Sequence, residues 1–247
     1  MDKLLYIAMS GAKETMRAQA ANTHNLANAS TTGFKADLSA FRSRAVTGPG
    51  FASRVYATDQ TVGWDHTFGS SQQTGSPLDL AIRGQGFLAV QDSNGNEAYT
   101  RAGDLHVDPT GQLLTATGLP VLGDNGPISV PPATSITVGS DGTISIVPLG
   151  QSPQTTANVA RIKLVNPPLD SVIRGADGLF RTSDGTPAVA DASTTVASGS
   201  LESSNVDIAS CMVNMIELSR HFDLQIKAMH TAQDDAAASA KLLQGAG

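Results

Sequence analysis

Apolar residues recur along this chain with two different periods. From Met1 to Thr32 there is one glycine, Gly11, and no proline. Across that stretch Leu5, Met9, Ala12, Met16, Gln19, Thr23 and Leu26 alternate four- and three-residue steps, and five of the seven are apolar. That spacing predicts a helix with a narrow seam. Between Ser200 and Gln244 glycine and proline are absent. Ser204-Asn205-Val206-Asp207 reads as a capping box that opens a second helix. After it Ile208, Met212, Met215, Ser219, Phe222, Ile226, Met229, Gln233, Ala236, Ala240 and Leu243 keep 4-3 spacing, with nine of the eleven apolar. A heptad sustained for this length predicts a coiled-coil helix from Val206 to Leu243.

The middle of the chain has another grammar. Asn94-Gly95, Asn125-Gly126, Asp141-Gly142, Asp177-Gly178 and Asp184-Gly185 punctuate short β-branched runs such as Ser135–Val138 and Thr143–Val147. These dipeptides predict type I′ hairpins. Pro127, Pro131, Pro132, Pro167 and Pro168 forbid long helices there. The expected fold is α+β: N- and C-terminal helices packed as a coiled coil, with an inserted antiparallel all-β domain. Residues 1–32 and 204–247 form the discontinuous helical domain, 76–203 the β-rich domain. Residues 33–75, rich in Gly, Ser, Thr and Gln, read as an extended connection. A seam of small residues and Met is thin for two helices alone, so neighbouring subunits are expected to complete it.

Composition narrows the function. Charged residues make up 15% of the 247, against roughly 25% in typical soluble domains. The formal net charge is −6, and no lysine lies between Lys35 and Lys163. A nucleic-acid partner, which needs a concentrated basic face, is not expected. No apolar run approaches the roughly 20 residues of a membrane-spanning helix, and the start lacks the basic leader and apolar run of a cleavable signal peptide. Cys211 is the single cysteine, so no disulfide or cysteine-based zinc site is expected.

The candidate chemistry is thin. Gly84-Gln85-Gly86-Phe87-Leu88-Ala89 matches a dinucleotide fingerprint, but a strand follows it where a helix should. Asp92–Glu97 begins like a calcium loop yet lacks its sixth-position Gly and closing Glu. His24, His66, His106, His221 and His230 form no ligand pair, and no G-x-S-x-G elbow occurs. No catalytic residue, cofactor, metal or small-molecule substrate is expected. Asn22, Asn25 and Asn28, three residues apart, lie near one helix face where their amides can bond neighbouring helices.

Ala21–Lys35, with Asn25-Leu26-Ala27-Asn28, Thr31, Gly33, Phe34 and Lys35, resembles the signature of flagellar rod and hook proteins, departing from it at Thr23 and His24. Leu78–Phe87, carrying Gly84, Gly86 and Phe87, resembles a second motif of that family. Tyr99-Thr100-Arg101-Ala102-Gly103, with Asp108, Gly111 and Leu113, resembles a third, although Leu105 stands where Phe is common. Gly199-Ser200-Leu201-Glu202-Ser203-Ser204-Asn205-Val206 resembles a fourth. The segment Met215–Phe222, with Gln225, Lys227 and Met229, is similar to proximal-rod members more than to distal ones.

The resemblance implies a structural subunit of the proximal rod. The subunits would self-assemble with other rod subunits, with the terminal helices as an inner layer and the β domain outside. It also implies delivery to the periplasm by the flagellar type III export apparatus without removal of a signal peptide. The subunit interface is then expected at Leu5, Met9, Ala12, Met16, Asn22, Asn25, Leu26, Asn28, Ile208, Met212, Met215, Phe222, Ile226, Met229 and Leu243. A distal rod subunit, a soluble coiled-coil binding module and an enzyme with an unrecognised site are the competing readings.

Overall fold

The computed structural model describes residues 3–45, 55–152 and 155–245. Helix α1 spans Lys3–Ala27, strands β1 (Asp37–Ala45) and β2 (Val55–Trp64) follow, and helix α2 spans Ile208–Gly245. The chain divides into two compact units. Unit 1 comprises Met1–Ala29, Ala36–Asp65 and Val206–Gly247; unit 2 comprises Ser30–Lys35 and His66–Asn205. The class is α+β, with antiparallel pairing throughout the described strands.

In unit 1, α1 packs against α2 and against the β1–β2 hairpin. This hairpin corrects the expected extended connection over 33–75. Asp37 pairs with Trp64 and Ala45 with Val55, with a bulge at Leu38/Ser39. Val55, Tyr56, Thr58, Thr61 and Val62 are good strand formers, but polar neighbours break their alternation and conceal the strand.

The helices also bury a different stripe from the one their large residues suggest. On α1 the buried positions are Ala8, Gly11, Ala12, Glu14, Thr15, Ala18, Asn22 and Asn25. Of the expected seam only Ala12 is buried. Leu5 and Leu26 are half-buried, while Met9 and Met16 are 54% and 59% exposed. Small side chains let neighbouring backbones approach closely, and that selects the face. On α2, Met215, Leu218, Phe222, Gln225, Ile226 and Met229 are half-buried and Cys211 is buried. Ile208 and Met212 remain 48% and 53% exposed. The side chain of Leu243 lies outside the described residues.

The first turn of α2 is capped by Asp207. Its carboxylate accepts from the amides of Ala209 (3.2 Å) and Ser210 (3.3 Å). Those bonds, with the Ser210 hydroxyl foremost, hold its carboxyl below the usual range.

At Gly11 the three atoms nearest an added Cβ all belong to the end of the Gln225 side chain, at 2.9–3.0 Å. That amide can swing away. Gly11→Ala is therefore expected to raise stability by about 0.5–1 kcal/mol through helix propensity, read as a higher thermal midpoint. A lower midpoint would mean Gln225 has nowhere else to go.

Unit 2 is built from short antiparallel sheets. The largest has the order Leu164–Val165, Phe87–Gln91, Glu97–Thr100, Phe180–Thr182, Val172–Arg174. A second joins Ala133–Val138, Thr143–Pro148 and Ala157–Arg161. Leu80, Leu88, Leu113, Val121, Ile144, Ile162 and Val196 pack into one core. The turns are not the expected type I′. Among the described residues only glycines have positive φ, whereas type I′ needs it at both central positions. The amides of Gly95, Gly142, Gly178 and Gly185 each bond the carbonyl three residues back, which makes each the left-handed last residue of a type I turn. Aspartates brace several of these turns: Asp92 Oδ1 accepts from the amides of Asn94 and Asn96, both at 2.9 Å.

Candidate functional site

Unit 2 contains a buried cluster of charge assembled from segments far apart in sequence. Lys35, Arg101 and Glu202 are 1%, 3% and 4% exposed. Lys35 Nζ donates to Glu202 Oε1 at 2.7 Å and to the Thr67 carbonyl at 2.6 Å. Arg101 Nε donates to Glu202 Oε2 at 2.7 Å, with Nη2 at 2.6 Å from the same oxygen. The Gly69 amide completes Oε1 at 3.1 Å. Arg101 also reaches the carbonyls of Gly86 (2.7 Å) and Gly84 (3.1 Å). The Phe68 ring lies 5.1 Å from both Lys35 Nζ and Arg101 Cζ.

Two cations share one carboxylate, so the cluster carries a surplus positive charge. Backbone carbonyls and the negative face of Phe68 take it up. Burial alone would raise the Glu202 carboxyl. The Arg101 charge and the hydrogen bonds of Lys35 and Arg101 outweigh it and hold the group below its usual value.

The backbone seals this clamp. The Gly33 amide donates to the Glu202 carbonyl at 2.8 Å and the Asn205 amide to the Phe34 carbonyl at 3.3 Å. Asn205 Nδ2 donates to the Thr67 carbonyl at 3.1 Å. Arg174 stacks on Phe34 (4.3 Å) and donates to the Lys35 carbonyl. Lys35, Thr67 and Asn205 each lie within two residues of a place where the chain passes between units.

Of the motif residues, Thr31, Gly33, Phe34, Lys35, Gly84, Gly86, Phe87, Arg101 and Gly103 fall in this unit, whereas Asn25-Leu26-Ala27-Asn28 belong to α1 in unit 1. Gly33, at φ 66°, lies against the Arg101 backbone, and a Cβ there would stand 2.3 Å from it. The Thr31 carbonyl accepts from the Phe34 amide. Phe87 is buried against Phe180, ring centroids 5.0 Å apart. The Gly84–Gly86 turn turns carbonyls toward a guanidinium. A phosphate site would present amides instead.

Glu202, Phe68, Thr67 and Arg174 were not among the expected site residues. Glu202 lay in view inside the Gly199–Val206 motif, but nothing local marks its partners. Among the described residues, no group of three His, Cys, Asp or Glu side chains converges as a metal site requires, and no helix is long and apolar enough to cross a membrane.

The three asparagines of α1 behave differently from one another. Asn22 Nδ2 donates to the Cys211 carbonyl of α2 at 2.8 Å. Asn25 pairs with Asp37 through both its amide atoms, at 2.9 and 2.8 Å, which fixes the start of β1. Asn28 returns to the His24 carbonyl of its own helix.

Three family models match this chain: flagella basal body rod protein over residues 5–35, flagellar hook protein FlgE/F/G D1 domain over 81–146, and flagellar basal body rod FlgEFG protein C-terminal over 197–242. Lys35, Arg101 and Glu202 fall one in each, so the clamp brings together one residue from each of the three matched segments. The chain belongs to the flagellar basal-body rod protein family. Within it, the chain is 44% identical to the flagellar basal-body rod protein FlgF of Escherichia coli strain K12, covering 98% of this chain and 99% of that one. It is 43% identical to FlgF of Salmonella typhimurium strain LT2 over the same shares. The flagellar basal-body rod protein FlgG of Bacillus subtilis strain 168 is 32% identical, over 95% and 96% of the two chains.

Proposed function

We propose that this chain is a structural subunit of the flagellar basal-body rod, in its proximal part, acting by assembly and not by catalysis. The observation that carries this is the apolar surface left on the terminal helices. Tyr6, Met9 and Met16 on α1 and Ile208, Met212, Val213, Ile216 and Leu224 on α2 are all about half exposed. Contiguous apolar helix faces of this kind are partner surfaces. The greater similarity to FlgF than to FlgG proteins supports the proximal position.

In this reading the terminal helices enter a coiled-coil inner layer with neighbouring axial subunits. The buried and half-buried 4-3 stripe from Cys211 to Ala232 on α2 is the part already in use within one chain. Other rod subunits, copies of this chain and the export apparatus are its partners, and the periplasm is its compartment.

The test is mass spectrometry of purified hook–basal bodies together with motility of a strain lacking the protein. Its presence in the particles, with non-motile deletion cells, is the expected result. Its absence with motility intact would refute the reading. Phe222→Asp and Met215→Asp are each expected to abolish rod assembly, because a carboxylate would replace an apolar contact of α2. The β-sheet circular dichroism of unit 2 should persist, and normal rods carrying either change would discard the helical layer.

A further inference from the structure

The buried stripe of α1 faces α2 and the hairpin. At 3.6 residues per turn, Tyr6, Met9, Lys13 and Met16 fall together on the far side, and all four are exposed. The face is apolar with Lys13 at its centre and Arg17, paired with Glu14, at its edge. The acid of that turn, Glu14, points the other way and is buried against Arg17.

A second surface of the same unit has the complementary character. Between α1, α2 and the start of β1 lies an open groove of about 370 Å3, whose lining includes Asp37, Leu38, Asn214, Glu217, Leu218 and His221. Leu38 and Leu218 give it apolar walls. Glu217 brings a carboxylate to it, midway along the α2 stretch that lines it, beside Asp37, whose own carboxylate meets His24 at 2.8 Å.

We propose that the Tyr6–Met16 face of one copy docks into this groove on a second copy, with Lys13 against Glu217. The inference rests on the rod-subunit reading and specifies one self-contact within it. Met9 to Met16 and Asn214 to His221 each cover about 10 Å of helix. The two methionines can therefore bracket the groove while Lys13 meets the acid between them. Face and groove are different surfaces of one unit, so the contact is head-to-tail. It propagates from copy to copy, whereas a two-fold pair would close on itself.

The test is sedimentation velocity of the full chain over a concentration series. Lys13→Glu and Glu217→Lys are each expected to weaken self-association by about tenfold, and the double reversal to restore it. Both side chains are exposed, so each variant should keep the wild-type circular dichroism. Singles that associate like wild type, a double no better than the singles, or a wild type that stays monomeric throughout would each overturn the contact. If the chain is found in basal bodies while the reversals change nothing, this contact fails and the rod reading survives.

Discussion

Glu202→Ala is expected to destabilise unit 2 by on the order of 3–5 kcal/mol, the cost of leaving buried charge without its partner. Against a total of about 5–15 kcal/mol for a folded domain, that is enough to leave much of the unit unfolded. The reason is the stoichiometry of the clamp. Both oxygens of Glu202 are in use, one by Lys35 and the Gly69 amide, the other by Arg101. Removing the carboxylate leaves two cations nearly without solvent. Urea denaturation followed by the β-sheet signal should show a lower midpoint with an unchanged slope.

A second substitution separates charge from packing. Lys35→Met removes the surplus cation and leaves a one-to-one Arg101–Glu202 pair, so it should cost only about 1.5–3 kcal/mol, the worth of a charged hydrogen bond. If Lys35→Met proves as damaging as Glu202→Ala, charge imbalance is not what makes the clamp matter.

The pH dependence has a definite sign. Glu202 is held below the usual value of 4.5 in the folded chain, so its contribution is fully present above that value. It is lost as the pH falls through the depressed folded value. The acid limb of the stability profile should therefore flatten in Glu202→Ala.

Much of this arrangement was legible because local chemistry announced it. Uninterrupted helical periodicity placed both terminal helices, and Asx-Gly pairs located the turns of the middle. Motif glycines marked places where backbones nearly touch. The missing parts lie where no local signal exists. Glu202 meets Arg101 across 101 residues and Lys35 across 167, and no periodicity reaches that far. The buried face of α1 was misplaced because apolar bulk was taken as the guide, when close approach selects Ala8, Gly11, Ala12 and Ala18. The hairpin of β1 and β2 was hidden by polar residues on strands that pair along their whole described length. The turn class was misread because Asn-Gly and Asp-Gly suit type I′ equally well, and what separates the two is the φ of the residue before each glycine, which is not positive at any of them.

Gly103→Ala should be nearly as damaging as the loss of Glu202, for a steric reason. A Cβ at Gly103 would lie 1.7 Å from the Leu80 carbonyl oxygen and 2.7 Å from its carbon. The obstacle is backbone, so no rotamer change relieves it. Gly103 also accepts the Leu80 amide at 2.8 Å, and Leu80 is a fully buried member of the main core. Moving the Gly103 segment away therefore breaks that bond and drags the Arg101 side of the clamp with it. A cost of about 3 kcal/mol or more is expected, at the upper end for strain and core disruption. Gly33→Ala makes a useful comparison, because its obstacle is the Arg101 backbone itself and its φ of 66° disfavours any side chain. If the matched segments are joined through the clamp, combining Gly33→Ala with Gly103→Ala should cost less than the sum of the two, since both displace the same Arg101–Gly103 segment. Strict additivity of the two in urea denaturation would show that the segments yield independently and that the clamp does not join them.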